Sequence, residues 1–224
     1  MAVSLPFADT EFRLLPCGAL FWPAEDLLLV ADLHLEKGSH FAARGFLLPP
    51  HDSLETLARL ARALRVTGAR RVAALGDSLH DRGALDRMSA PVRARLEALV
   101  ARVDWTWIAG NHDGAAAAAL GGAAAVSLEV GGLVLRHESL PSDPRPEVSG
   151  HLHPRIRLVT RAGRMVLRRC FALGGGRLVL PAYGAFAGGL DVSDPAFAML
   201  GPEREALIVS SAGPVRVPVG RRAA

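Results

Sequence analysis

The feature that most constrains the fold is an apolar run at residues 27–31, which is followed at once by Asp32 and His34. A continuous apolar run of this length is typical of a strand that is covered on both faces of its sheet. Open α/β sheets place their functional sites at the carboxyl ends of such strands. We therefore expect Asp32 and His34 to belong to a site.

Two later runs have the same form. Residues 70–75 predict a strand that ends at Gly76-Asp77, and residues 105–109 predict another that ends at Gly110-Asn111-His112-Asp113. Three strand ends therefore carry polar side chains. If the strands share a sheet, these side chains should meet at one edge of it.

The segments between these strands have the apolar spacing of helices. Residues 52–64 predict a helix with Asp52 or Ser53 as its N-cap, and residues 86–101 predict a second helix. Residues 34–50 contain glycines and a Pro-Pro pair, which favour a loop with one helical turn. The alternation of strands and helices predicts a layered sheet with covering helices.

The chain changes character after a low-complexity tract at residues 114–125, to which we assign a short helix. The later apolar runs are short and separated by Gly, Pro or Ser, so this half is predicted to be mostly β. Gly131-Gly132 and Ala162-Gly163 favour hairpin turns. Two early runs, at residues 11–15 and 19–22, also predict strands. The predicted strands of the later half cover residues 126–130, 133–136, 155–160, 165–169, 178–180, 206–210 and 215–217. We find neither a repeat nor a linker, and we expect residues 1–224 to form a single domain.

The composition narrows the class of protein but does not identify a substrate. The formal net charge of +4 comes almost entirely from arginine, since Lys37 is the only lysine. This bias is as typical of a GC-rich genome as of a protein that binds polyanions. Cys17 and Cys170 are too few for a disulfide framework, so we expect both to be reduced and partly buried. Neither a secretory signal nor a membrane span is expected, which favours a cytoplasmic protein.

Further metal-ligating side chains follow in the second half. His137 comes directly after the run at residues 133–136, and Gly150-His151-Leu152-His153 lies beyond it. With the strand-end residues they make a set of two aspartates, one asparagine and four histidines. These nitrogen and oxygen donors suit two divalent transition-metal ions, with manganese as the leading choice and iron, zinc, cobalt or nickel also compatible.

Such a pair of metal ions favours phosphoester chemistry. Two cations about 3.5–4 Å apart bind the phosphoryl oxygens, acidify a bridging water and hold the nucleophile in line. The site therefore predicts an enzyme that hydrolyses phosphoesters.

The order of these motifs resembles that of the calcineurin-like metallophosphoesterase superfamily. Asp-x-His, Gly-Asp, Gly-Asn-His-Asp, a single His and Gly-His-x-His follow one another between Asp32 and His153. The resemblance implies an α/β (α+β) fold, a four-layer α/β/β/α sandwich of two mixed sheets flanked by helices.

The resemblance also implies a role for each polar side chain. His112 would contact the phosphoryl group and protonate the leaving oxygen, while Asp113 would fix the tautomer of the His112 ring. Asp77 would bridge the two metal ions. The remaining ligands would be Asp32, His34 and His153 for one ion and Asn111, His137 and His151 for the other.

A narrower resemblance connects the chain with the ligase-associated, DNA-damage-response metallophosphoesterases of bacteria. Residues 32–37, 76–81 and 180–190 carry it. It implies a nuclease that cleaves phosphodiesters in DNA and acts beside a DNA ligase and a helicase in repair.

One departure from the superfamily concerns His80. The serine/threonine phosphatases place Asp-Arg-Gly shortly after Gly-Asp, whereas here His80 takes the position of that aspartate and Arg82 is displaced by one residue. Arg82 is therefore not assigned as the phosphate-binding arginine. His80 either supports His112 or touches the substrate.

Other functions and structural roles fit the same sequence. A phosphomonoesterase or a small-nucleotide phosphodiesterase would use the same core, and a non-catalytic scaffold would keep the fold while binding a protein partner. The arginines at residues 155–169 could follow a nucleic-acid backbone, although a solvated strand face is slightly favoured because no aromatic residue accompanies them. We expect His40 and His51 to be surface or loop residues and residues 174–176 to form a flexible turn.

Overall fold

Two seven-stranded sheets pack face to face in the computed structural model, which describes residues 2–49, 51–113, 116–160, 162–210 and 213–219. The first sheet follows the order of the sequence. Its strands are β1 (Val3–Phe7), β2 (Thr10–Leu14), β3 (Leu20–Trp22), β4 (Leu27–Val30), β5 (Arg71–Leu75), β6 (Asp104–Ile108) and β7 (Ala123–Ala125). Strands β1 to β4 are antiparallel and β4 to β7 are parallel.

The second sheet is also mixed, and a separate hairpin lies beside it. The strands of the second sheet, in chain order, are β8 (Ser127–Val130), β9 (Leu133–Arg136), β10 (Glu147–Ser149), β13 (Phe171–Gly174), β14 (Arg177–Val179), β15 (Glu205–Ser210) and β16 (Gly213–Pro218). Strand β10 pairs in parallel with both β9 and β14. The hairpin consists of β11 (Arg155–Val159) and β12 (Met165–Arg169).

The helices cover the outer faces of the two sheets. They are α1 (Lys37–Ala42), α2 (Asp52–Thr67), α3 (Ala84–Arg87) and α4 (Ala90–Val100), with 3-10 helices at Pro23–Glu25, Ala116–Leu120 and Pro195–Leu200. Leu57 of α2 and Leu96 of α4 pack on the outer face of the first sheet. Phe197, from the last 3-10 helix, packs with Ile156 of the hairpin on the outer face of the second sheet.

An apolar layer fills the space between the sheets. Leu29 and Ala73 of the first sheet meet Leu135 and Val148 of the second, and all four are buried. The fold class expected from the sequence, two mixed sheets in an α/β sandwich, is therefore confirmed. The layer over the second sheet consists of a 3-10 helix and a hairpin, in keeping with the short β runs of this half.

The three motif-bearing strands and both hairpin turns lie where the sequence predicts them. The helix expected at residues 86–101 is divided into α3 and α4, because Pro91 has no N–H and its ring would clash with a preceding carbonyl. In the tract at residues 114–125, positions 114 and 115 lie outside the described residues, and the remainder holds a 3-10 helix and the unpredicted strand β7. Strands β1, β10 and β13 were not predicted either.

The N-cap predicted for α2 was wrong. Residue His51 lies at the N-cap position, and Asp52 and Ser53 are already within the helix. Their side chains instead form hydrogen bonds with residues 36–38. Within the described ranges, no helix is both long and apolar enough to cross a membrane.

Candidate metal centre

The predicted site residues all follow strands whose carboxyl ends point to the same region. Strands β4, β5 and β6 supply them from the first sheet, and β9 and β10 supply them from the second. In chain order these residues are Asp32, His34, Asp77, His80, Asn111, His112, Asp113, His137, His151 and His153.

One group of potential ligands gathers around Asp32. Its Oδ1 lies 3.2 Å from Nε2 of His153, which in turn lies 3.3 Å from Nε2 of His34. The three side chains are close enough to share one cation. The carboxylate of Asp32 is fully buried and also accepts the backbone N–H of His151 at 3.0 Å.

A second group gathers around His137. Its Nε2 lies 3.0 Å from Oδ1 of Asn111 and 3.2 Å from Nδ1 of His151. Nδ1 of His137 lies 3.0 Å from the carbonyl of Leu75. Because a carbonyl only accepts, Nδ1 carries the proton, and the Nε2 lone pair points into the group.

Asp77 lies between the two groups. Its Oδ2 is 3.5 Å from Nε2 of His137 and 3.9 Å from Nε2 of His112, and its Oδ1 accepts the backbone N–H of His112 at 3.0 Å. Oδ1 of Asp32 lies 3.8 Å from Nδ1 of His137, so the two groups are contiguous. Asp32, Asp77 and His137 also form a potential cation-binding set.

The backbone at these positions is strained. A positive φ is rare for residues other than glycine and is found disproportionately at functional sites. Of the nine described non-glycine residues with positive φ, five belong to this cluster, and Glu36 (67°) lies two residues beyond His34. The five are Asp32 (53°), His34 (42°), Asp77 (46°), His151 (70°) and His153 (49°).

The donor set fits a divalent metal. The amide of Asn111 faces only acceptors, namely Nε2 of His137 at 3.0 Å and the two oxygens of Asp77 at 3.2 and 3.1 Å. Without a cation the amide nitrogen donates to them, whereas the amide oxygen would face a bound metal ion. The ion pairs that described residues form with the buried Asp32 and Asp77 carboxylates come from histidines alone. Uncompensated carboxylates are costly to bury, and a cation among these lone pairs would remove that cost.

His34 is poised to act as a ligand. Burial of the ring, followed by the neighbouring His153 and His80, lowers the pKa of His34 to about 2. The ring is therefore neutral over the physiological pH range, and the neutral form is the one that binds metals.

The ring of His112 is held by a different partner from the one expected. Its Nδ1 lies 2.9 Å from the carbonyl of His80 and donates its proton there. Asp113 instead accepts the backbone N–H of Leu79 at 2.8 Å. The expectation that Asp113 fixes the His112 tautomer is therefore corrected, because the His80 carbonyl accepts the Nδ1 proton.

His80 and His40 lie behind His112. The rings of His80 and His112 are 5.7 Å apart, and the ring of His40 meets His80 edge-on at 4.5 Å. Burial, followed by the neighbouring His40 and Lys37, lowers the pKa of His80 to about 4. His40 was expected at the surface or in a loop, but it lies half-buried in α1, while His51 is exposed as expected.

Asp81 explains why His40 is held in place. Its Oδ2 lies 2.5 Å from Nδ1 of His40 and 2.6 Å from an Arg87 nitrogen. Although burial acts in the opposite direction, the hydrogen bonds from Arg87 and His40 lower the pKa of Asp81 to about 2. No motif marks His40 in the sequence, so only the fold reveals it. Arg82 is exposed.

The hairpin arginines divide into two kinds. Arg157 and Arg168 are exposed, as a solvated face requires. Arg169 is half-buried and donates to the carbonyls of Gly184 and Ala185 at 2.7 and 3.1 Å. Arg161 lies outside the described residues.

A two-sheet sandwich whose strand ends bring together carboxylate, amide and imidazole ligands defines a metal-dependent hydrolase of phosphoesters. The family model described as calcineurin-like phosphoesterase matches residues 26–169, which is more than half of the chain. The protein belongs to this family. No curated protein is significantly similar to it.

Two solved structures are similar to it to different degrees. The crystal structure of Pseudomonas putida nuclease MPE is 25% identical, with a TM-score of 0.75, and the match covers 97% of this chain and 100% of that chain. The phosphoesterase Yfce from E. coli is 17% identical, with a TM-score of 0.44, and the match covers 87% of this chain and 99% of that chain.

Proposed function

We propose that the protein is a dinuclear metal-dependent phosphodiesterase that cleaves DNA. The observation that carries the proposal is the convergence of two contiguous ligand groups, one around Asp32 and one around His137, with Asp77 between them. Two such groups at contact distance are what a paired-ion centre requires.

The residues that would hold the metal ions follow from these groups. Asp77 would bridge the ions. The other ligands would be Asp32, His34 and His153 for one ion and Asn111, His137 and His151 for the other. When bound, the ions would neutralise phosphoryl charge and supply a nucleophilic water at neutral pH. The mixed nitrogen and oxygen donors favour manganese, with iron, zinc, cobalt and nickel as alternatives.

His112 is the proposed catalytic group beside the ions. Its backbone N–H and its Nδ1–H are both engaged, with Asp77 and with the His80 carbonyl, so the ring has a fixed orientation. Because Nδ1 already carries one proton, the imidazolium form of His112 would carry a second proton on Nε2, from which it would contact the phosphoryl group and protonate the leaving oxygen. His80 would support this ring from behind, and Asp113 would hold the turn on which His80 lies.

DNA is the substrate favoured by the comparison. The Pseudomonas putida relative is a nuclease, and the net charge of +4 is compatible with a polyanion but does not distinguish one. We extend the proposal to a cytoplasmic role in DNA repair beside a DNA ligase and a helicase, as the narrower sequence resemblance implies. The single domain expected from the sequence would provide all ligands of the site.

Turnover of the metal-reconstituted protein tests this function. The substrates are bis-p-nitrophenyl phosphate, p-nitrophenyl phosphate, and single-stranded and duplex DNA, each with manganese, iron, zinc, cobalt or nickel. We expect diester and DNA hydrolysis in the presence of manganese. A strict preference for the monoester would overturn the nuclease proposal and leave the metal centre standing.

Substitution of the bridging carboxylate tests the mechanism. Asp77→Asn should lower kcat on bis-p-nitrophenyl phosphate by more than about 100-fold, because even partners that only orient metal ligands contribute about 10- to 100-fold. Asp104→Asn is the matched control, since this exposed residue begins β6 at the sheet edge opposite the site. Unimpaired hydrolysis by Asp77→Asn would contradict the mechanism.

A further inference from the structure

Three aromatic rings form a column that leads outward from His112. The rings of His112 and His80 are 5.7 Å apart with 28° between their planes. The rings of His80 and Phe41 are 6.1 Å apart with 26° between their planes. Rings in this nearly parallel, offset arrangement interact favourably. The column therefore connects the proposed catalytic histidine with the end of α1.

An exposed apolar loop follows directly on this column. Phe46 is 66% exposed and Leu47 is 88% exposed, and Leu48 beside them is also exposed. The backbone N–H of Phe46 donates to the carbonyl of Phe41 at 3.0 Å, so the loop is folded back against the column. Contiguous exposed apolar side chains mark interaction sites more often than single ones do.

A cation accompanies these apolar side chains. Arg44 is exposed, and its guanidinium donates to the carbonyl of His40 at 3.3 Å. Among the described residues, no carboxylate forms an ion pair with it. A guanidinium without a carboxylate partner, in the same loop as exposed aromatic and aliphatic side chains, is a combination that suits single-stranded nucleic acids, since the cation meets phosphate while the rings meet bases.

We propose that Phe41 and residues 44–48 form a nucleobase-binding platform for the strand that is cleaved. The inference rests on the proposed function, because it places the scissile phosphate at His112 and a neighbouring base on the platform. Bases in an intact duplex are already stacked on one another, so the platform favours single-stranded or unpaired DNA. The platform would bind a flat base and its phosphate, on the side of the scissile bond that carries the leaving oxygen.

Substitution of Phe46 in the metal-loaded protein tests this contact. Phe46→Ala should lower kcat/KM on a single-stranded oligonucleotide by about 5- to 150-fold, the range found when one base–aromatic stack is removed. Phe46→Trp should keep or improve this value. Val66→Ala is the matched control, because Val66 is also 66% exposed but lies at the end of α2, near the opposite edge of the sheet.

Oligonucleotides with a single abasic residue then locate the base. At one position of the strand, an abasic residue should slow cleavage by the wild-type enzyme. The same abasic residue should not slow cleavage by Phe46→Ala any further, because the two changes remove the same contact. Equal effects of Phe46→Ala on intact strands and on every abasic strand would overturn the platform. So would self-association of the protein that Phe46→Ala abolishes while DNA cleavage is unchanged.

Failure of the platform can be separated from failure of the proposed function. Wild-type turnover of bis-p-nitrophenyl phosphate reports on the metal centre alone. If that turnover is present and Phe46→Ala cleaves DNA like the wild type, only the platform is wrong. If the wild type hydrolyses no diester, the proposed function fails and the platform with it.

Discussion

Gly110 packs against Asp77 so closely that the position admits no larger residue. A Cβ atom at Gly110 would lie 2.2 Å from the backbone nitrogen and from Oδ1 of Asp77. The glycine of the Gly-Asn-His-Asp motif is therefore required by close approach of two strand ends. Any side chain there would displace the carboxylate that lies between the two ligand groups.

Gly110→Ala should accordingly impair both activity and stability. Overpacking of a tight site costs about 1–3 kcal/mol, and the shift of Asp77 should reduce diester turnover by more than about 10-fold. Urea unfolding and bis-p-nitrophenyl phosphate kinetics measure the two effects. Gly188→Ala is the control, since a Cβ at Gly188 meets open space. Wild-type turnover by Gly110→Ala would show that the contact is unimportant.

The residues of the candidate site were largely accessible to sequence reasoning, whereas their partners were not. Asp32 and Asp77 could be predicted because each directly follows a strand with a clear apolar pattern. His40 could not, because α1 contains Gly38, is followed by Gly45 and two prolines, and bears no motif. The partner of Asp113 depends on the backbone path after β5, which no spacing rule specifies.

At the scale of elements, the first turn of α2 holds the segment that carries His34. Oγ of Ser53 accepts the backbone N–H of Glu36 and donates to its Oε1, both at 2.9 Å. Oδ2 of Asp52 accepts the backbone N–H of Gly38 at 3.0 Å. These bonds fix Glu36 in its left-handed conformation, two residues after His34. Helix α2 therefore helps to position a candidate metal ligand.

Ser53→Ala should loosen this attachment. Because Ser53 and Glu36 are both buried, the variant leaves an N–H and a carboxylate without their partner, which costs about 1–3 kcal/mol. We expect lower unfolding free energy in urea and weaker metal binding in a manganese titration. Ser89→Ala serves as the control, because Ser89 is exposed and its side chain makes no cap to α4. Equal stabilities of the two variants would contradict this role of α2.

The difference between features with a clear local pattern and features that depend on the fold also explains which elements could be predicted. Strands β4 and β5 have unbroken apolar cores, and β6 places its buried tryptophans on either side of Thr106, so the apolar pattern and length identify all three. Strand β7 is a run of alanines, which have low strand propensity, and it forms only because β6 offers an edge for pairing. Strand β10 begins with the charged Glu147, which is buried because Arg136 and Arg177 pair with it. The pairing of β7 with β6 and the ion pairs of Glu147 both depend on residues outside the strand itself, so no local pattern shows them.

At the scale of the whole molecule, the candidate metal centre joins the two sheets. The candidate ligands Asp32, His34, Asp77 and Asn111 follow strands of the first sheet, while the other candidates, His137, His151 and His153, follow strands of the second. Elsewhere the facing surfaces of the sheets meet through an apolar layer. A bound metal ion would therefore link the two sheets at one end of the sandwich.

Metal binding should for this reason stabilise the whole fold. At a free metal concentration of 100 times Kd, one site adds about 2.7 kcal/mol, which for a chain of this size raises Tm by about 5–10 °C. Differential scanning calorimetry with and without manganese, after treatment with a chelator, measures the shift. His151→Ala in the second sheet and Asp77→Asn in the first should each reduce it, whereas Asp104→Asn should leave it intact. A shift that survives both ligand substitutions would mean that the metal binds elsewhere, because ions shared between the sheets lose affinity when either sheet loses a ligand.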